Sequence, residues 1–252
     1  MKKVLVSGDS CNDMFRYGTC DRISPEAPVP VMKPTRTVGS GGMAINVYEN
    51  LKALGIECDI ITNDIRPVKT RYVDEISNQM LLRVDEADEI KQIKYGDLTK
   101  IFFDDYDAVV ISDYNKGFLS EESINYISTH HPLVFIDTKK KLGKWATNIK
   151  YIKLNSKEFD ENVCKEFKEK YSHDLIVTKG KEGAVLNLIE EFPIENEHEV
   201  RDLSGAGDTF LAGLVADYVK NNDIRKAIRF ANRCAAWVVS QKGVVTVNPE
   251  KI

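Results

Sequence analysis

Short, unbroken apolar runs recur along this chain, at Val4-Leu5-Val6, Ile60-Ile61, Val109-Val110-Ile111, Val134-Phe135-Ile136 and Leu175-Ile176-Val177, with helical patterns between them. Runs without polar alternation suit strands buried on both faces. The pattern therefore predicts an α/β fold, a mostly parallel central sheet covered by helices on both sides. Several runs end in polar residues: Ser7 and Asp9, Thr62, Ser112 and Asp113, Asp137 and Thr138, and Thr178. Ligands bind beyond the carboxyl ends of such strands, so these residues are expected along one edge. Two stretches break the rhythm. Residues 15–38 are rich in proline and turn formers, and Tyr72, Ile76, Met80, Leu82 and Val84 alternate partially. Both are expected to form a small β lid, over about 15–38 and 69–84, on a single domain spanning 1–252. No internal repeat or low-complexity segment is found.

The most informative stretch is Arg201-Asp202-Leu203-Ser204-Gly205-Ala206-Gly207-Asp208-Thr209. Leu211, Leu214, Val215 and Tyr218 follow at helical spacing, so Gly205, Ala206 and Gly207 are expected at a helix N-terminus. First-turn amides lack intrahelical partners, and glycine lets a phosphate approach them closely. Asp208 would stand beside this cradle as a general base for an attacking hydroxyl. Alone, the motif reads equally as a tight connection and a first-turn acid, which the helix dipole favours by about 0.3–1 kcal/mol. It fits neither the dinucleotide fingerprint nor a Walker A loop.

A second glycine motif, Gly39-Ser40-Gly41-Gly42-Met43-Ala44-Ile45-Asn46, also leads into a helix, which Gly55 would close. Its amides and Asn46 can hold sugar hydroxyls, although the motif alone reads first as a loop-to-helix joint. Asp9, Asn12 and Asp13 follow the first strand, where carboxylates accept from a polyol or act as turn formers. Asn155-Ser156-Lys157-Glu158 follows the strand-like Tyr151 to Leu154 and precedes Phe159, Val163 and Phe167. It reads first as a capping box and second as a holder of hydrated Mg²⁺. Lys139-Lys140-Lys141 reads first as a solvated face and second as a contact for a phosphate.

Composition narrows the classes. With 252 residues, 42% hydrophobic, 29% charged and a net charge of −4, the chain has the make-up of an ordinary globule with no footprint for nucleic acid. Val4 to Val6 is too short for a signal-peptide core, and nothing is long enough to span a membrane. The five cysteines, Cys11, Cys20, Cys58, Cys164 and Cys234, lack paired spacing and suggest a reducing cytoplasm. His130, His131, His173 and His198 show no metal-ligand spacing.

In this order, the three motifs resemble those of the ribokinase or PfkB carbohydrate kinase family over nearly the whole chain. Arg22 to Val31, Ser77-Asn78-Gln79 with Arg83, and Ser112 to Gly117 are similar to the D-glycero-D-manno-heptose 7-phosphate kinases within it. The resemblance implies a ribokinase-like three-layer α/β/α fold. It also implies that Asp208 deprotonates the anomeric hydroxyl of a sugar phosphate while the Ala206 and Gly207 amides stabilise the γ-phosphoryl group of ATP. Asp9, Asp13, Gly41, Gly42, Asn46 and Asp113 would hold the sugar, with Lys69, Arg71, Arg83 or Lys116 on its phosphate. Asn155, Glu158, Thr178, Lys179, Gly180 and Asn232 would form the nucleotide side, Asn155 and Glu158 reaching Mg²⁺ through water. A cytoplasmic homodimer joined through the lid is implied, and a monovalent cation is left open. Two departures stand out: few residues separate Thr62 from Lys69, where relatives carry a further helix and strand, and the nucleotidyltransferase domain of some heptose kinases has no counterpart in these residues. Another sugar or polyol, or a shortened non-catalytic sugar or nucleotide binder, are the alternative readings.

Overall fold

The structure, a computed structural model, describes residues 2–86, 90–162, 175–195 and 199–252. Val163, Cys164, Phe167, His173 and His198 lie outside the described residues.

Among the described residues eight strands form the central sheet: β1 (Lys3–Gly8), β4 (Glu57–Thr62), β7 (Ala108–Asp113), β8 (Val134–Thr138), β9 (Tyr151–Asn155), β10 (Leu175–Thr178), β11 (Ala184–Leu186) and β12 (Glu190–Phe192). Their order is β12-β11-β10-β9-β8-β7-β1-β4. All pairs from β10 to β4 are parallel, and β10-β11-β12 is an antiparallel meander. The apolar runs become strands because both faces are covered, so β-branched residues pack without polar alternation. Helices α1 (Ala44–Ala53), α5 (Ala206–Asn221) and α6 (Ile224–Val239) share one core with Val4, Val6, Val110 and Phe135. The other face carries Leu5, Val109, Ile111 and Ile136 against α3 (Glu121–His130) and Leu98 of α2 (Tyr95–Leu98). This is the three-layer α/β/α arrangement that the resemblance implies. The β11–β12 hairpin, too short to stand out in the hydrophobic pattern, is an addition to the predicted strands.

The lid is a second sheet of order β3-β2-β5-β6, built from β2 (Ser10–Ile23), β3 (Pro30–Met43), β5 (Val68–Asp74) and β6 (Met80–Glu86). It starts earlier than residue 15, because β2 leaves β1 after a single residue. Phe15, Tyr17 and Val73 on its inner face pack against Val244. β4 ends the central sheet, paired only with β1 among the described strands, and residues 63–67 lead straight into the lid. The Asn63 side chain ties this short link down, accepting from the Ser10 amide at 2.8 Å and donating to the Ser10 carbonyl at 3.0 Å.

The chain reverses its progress across the sheet between β1 and β7. The carboxyl ends of β1, β7, β8 and β9 therefore open a crevice beneath the lid. No described helix is long and apolar enough to cross a membrane.

Candidate active site

Helix α5 starts on Gly205, whose φ of 81° is a backbone setting that only glycine adopts without strain. A Cβ there would lie 2.7 Å from Asn46 Nδ2. Among the described residues no side chain caps this end, and the Ala206 amide reaches the Leu203 carbonyl only at 3.4 Å. Gly207 and Asp208 follow as first-turn amides without intrahelical acceptors.

Asp208 is 4% exposed, and both of its oxygens are held. Asn46 Nδ2 donates to Oδ2 at 3.1 Å, and the Tyr114 hydroxyl donates to Oδ1 at 2.8 Å. Burial pushes the carboxyl up to about 6; the two donors and Lys153 act in the opposite direction, and the nearby Asp137 charge adds to the rise. A carboxylate so tuned is a usable general base near neutral pH.

A cavity of about 270 Å³ opens in front of Asp208. Cys11, Asp13, Gly42, Lys69, Arg71, Arg83, Asp85, Tyr114, Lys116 and Lys139 line it, with Gly205 and Val244. The four predicted cations thus converge on one space. Cross-strand register explains this: Asp13, Lys69 and Asp85 form one row across the lid, and Phe15, Arg71 and Arg83 the next row on the same face. Arg71 is paired with Asp13, and Arg83 grips Asp85 through Nε at 2.7 Å and Nη2 at 2.8 Å. Lys69 is 7% exposed, and among the described residues its ammonium has neither a hydrogen bond nor an ion pair. Gly42 has to be small, since a Cβ would collide with the Asp13 carboxylate.

Other predicted residues are placed differently. Asp9 is fully buried; its carboxylate accepts the Lys116 and Phe118 amides at 3.0 Å each and pins the loop after β7. Asp113 is likewise consumed, by Thr138 Oγ1 at 2.6 Å, Lys140 Nζ at 2.7 Å and the Asn115 amide at 3.1 Å. Neither lines the cavity, so both shape the loop that presents Tyr114. Asn46 does not line it either: its carbonyl oxygen accepts from Asn50 Nδ2 at 2.9 Å, turning its amide nitrogen toward Asp208. Gly41 stands off the cavity, against Ile45.

On the next strands, Asn155 and Glu158 form the reciprocal capping box, with amide-to-side-chain bonds of 2.8 and 2.9 Å at the start of α4 (Ser156–Asn162). One bond consumes Glu158 Oε2. Burial and the Asp137 charge together hold the Glu158 pKa above its usual range. Thr178 is the register partner of Asn155, and Lys179 and Gly180 follow at the same sheet edge. Asn232 lines a separate cavity of about 110 Å³ with Arg229, Arg233 and Trp237, and donates to the Phe192 carbonyl at 2.8 Å.

The lysine run is a solvated face at Lys139 and Lys141 but not at Lys140. Lys139 lines the main cavity with its Nζ 4.2 Å from the Tyr114 ring centroid, and Lys140 is 11% exposed on Asp113. Tyr114, Lys153 and Asn50 escaped assignment of roles from sequence. Asp137 is one of the strand-ending polar residues expected along the site edge, and Tyr114 follows β7 directly.

Residues 132–251 match the family described as "pfkB family carbohydrate kinase". The curated "Bifunctional protein HldE" of Helicobacter pylori strain J99 is 31% identical over 308 residues, covering 100% of this chain and 66% of that protein. The HldE of Nitratiruptor sp. is 32% identical over 295 residues, covering 99% and 64%. The chain therefore spans about two thirds of these relatives, and both alignments are longer than its 252 residues, in keeping with segments it lacks. Among solved structures, ribokinase from Thermotoga maritima superposes with a TM-score of 0.73 at 17% identity, covering 99% of this chain and 98% of that one. A nucleoside kinase from Methanocaldococcus jannaschii gives 0.69 at 19%, covering 97% and 93%.

Proposed function

The chain belongs to the pfkB family of carbohydrate kinases, and on that premise we propose that it transfers the γ-phosphoryl group of ATP to a hydroxyl of a sugar that already carries a phosphate. The acceptor we assign is the anomeric hydroxyl of D-glycero-D-manno-heptose 7-phosphate. One observation carries the phosphorylated substrate: five cations, Lys69, Arg71, Arg83, Lys116 and Lys139, line the cavity that Asp208 faces. A neutral sugar needs hydroxyl partners, whereas an excess of cations over Asp13, Asp85 and Asp208 suits a substrate phosphate. The HldE relatives and the heptose-kinase-like segments around Arg22 and Ser112 support the sugar assignment.

In this reading Asp208 accepts the hydroxyl proton as the sugar oxygen attacks the γ-phosphorus. The bond from that phosphorus to the β–γ bridging oxygen breaks, ADP leaves, and the proton stays on Asp208. The amides at the start of α5 stabilise charge on the phosphoryl oxygens. Mg²⁺ fits the donor set on the nucleotide side: the carboxylates of Asp137 and Glu158 repel one another, and Glu158 keeps one oxygen outside the capping box. Bound there with Asn155 through water, it would offset phosphate charge. A cytoplasmic homodimer completes the proposal, a second copy covering the outer lid face where Met80 and Leu82 stand exposed.

Mixing the protein with Mg-ATP, with and without potassium, and a panel of sugars and sugar phosphates tests the assignment through ADP release. Release stimulated most by the heptose phosphate is expected; release indifferent to every sugar defeats it. Ligand binding without ADP release would instead favour a non-catalytic binder.

The pH profile supplies a second check. With Asp208 near 6, kcat/KM is expected to fall as pH drops through that value, because the base becomes protonated. Tyr114→Phe removes a donor that favours the charged form, so the acidic limb should move to higher pH. A limb that stays in place would show that Tyr114 does not tune the base.

A further inference from the structure

β9 is buried from Tyr151 through Leu154, yet its third residue is Lys153, with a side chain only 4% exposed. Lys153 Nζ donates to Asp137 Oδ2 at 2.6 Å. A buried ion pair gives the core no clear advantage over an apolar pair of the same size, so stability alone does not account for it. Its position points to chemistry. A Cβ built on Gly207 would lie 3.1 Å from Lys153 Nζ and 3.9 Å from Asp137 Oδ2, so the ammonium abuts the first turn of α5. That turn already presents positive potential through its unpartnered amides. The ammonium and those amides face each other at a corner where Asp137, Glu158 and Asp208 are the neighbouring carboxylates. A phosphoryl group held by the turn therefore meets the Lys153 ammonium directly against Gly207.

We propose that Lys153 is a catalytic residue whose ammonium contacts the γ-phosphoryl group across Gly207. This rests on the kinase reading above. Of the three ammonium donors, Asp137 engages one and orients the others, and no proton is transferred. Burial opposes the Lys153 charge most strongly, but Asp137, with Glu158 and Asp208, together outweigh it and hold the pKa above its ordinary value, so the group acts as a fixed charge and not as an acid. Asp208, Glu158 and Lys139 are the other charged groups around this corner. Its full charge would act beside the amides where the phosphoryl oxygens gain theirs.

Titration calorimetry with Mg-ADP and with a non-hydrolysable triphosphate, β,γ-imido-ATP, tests the contact without any sugar. Lys153→Met is expected to lose about tenfold or more of the triphosphate-over-diphosphate preference while Mg-ADP affinity holds, and to lower kcat by about 10²–10³-fold. Lys153→Arg should recover part of both. A wild-type ratio in Lys153→Met, or equal weakening of both nucleotides, overturns the proposal. If Lys153→Met fails to fold, Asp137→Asn with and without Lys153→Met gives the same comparison on a neutralised pair. Should wild type itself show no triphosphate preference and no sugar-dependent ADP release, the kinase reading fails as well; normal wild-type behaviour with an unaffected Lys153→Met defeats this inference alone.

Discussion

Asp208→Asn is expected to lower turnover by about 10²–10⁴-fold while the protein stays folded. The amide keeps the size of the carboxylate and can still accept one of the two hydrogen bonds from Asn46 and Tyr114, but it cannot take a proton. Stability should move little or rise. The Asp208 carboxyl sits at about 6 in the fold against an ordinary value near 3.8, so the folded state holds its proton more tightly. The resulting contribution is fully present below the unfolded pKa and is lost as pH climbs from about 4 to 6, a cost of about 3 kcal/mol at neutral pH by linkage. Neutralising the group removes that pH dependence, offset partly by the acceptor the amide gives up. Steady-state ADP release and thermal unfolding at pH 5 and pH 8 check both halves. A variant with wild-type turnover would remove Asp208 from the chemistry, and one that unfolds at both pH values would make it a structural residue.

What the sequence disclosed about this centre follows from how local each feature is. The apolar runs of β1, β7, β8, β9 and β10 and the spacing after Asp208 are written into consecutive residues, and the sheet and α5 follow them. The capping box at Asn155 and Glu158 is equally local. Partnerships across the chain are not. Asp9 and Asp113 have the residue type and strand-end position of sugar binders, but backbone amides and Lys140, brought in by the fold, consume them. Asn46 is oriented by Asn50, which in turn accepts the Val247 amide at 2.9 Å, a tie spanning most of the chain. Met43 starts α1 at a φ of 61°, a setting no residue pattern announces. The convergence of Lys69, Arg71 and Arg83 depends on the register of β2, β5 and β6, which alternation suggests only within each strand. Lys153 escaped notice because it interrupts a strand without lengthening or ending it.

The register of the lid supplies the other large expected effect. Replacing both Lys69 and Arg83 by Met should reduce kcat/KM for the phosphorylated sugar by about 10²–10⁴-fold, since each hydrogen-bonded cation on a phosphate contributes about 1.5–3 kcal/mol. The unphosphorylated sugar should lose far less. The two positions are not equivalent. Lys69 is buried without a partner among the described residues, so Lys69→Met removes attraction and leaves no broken pair there. Arg83 holds Asp85 through two bonds, so Arg83→Met also uncovers a carboxylate in the cavity and adds repulsion of the substrate phosphate. Arg83→Met should therefore be the more damaging single change, and adding Asp85→Asn to it should restore part of the loss. Measuring kcat/KM for the sugar and its phosphate across this set separates attraction from repulsion. Equal losses for both substrates would mean that the lid orders the site as a whole, and unchanged values would remove these cations from substrate recognition.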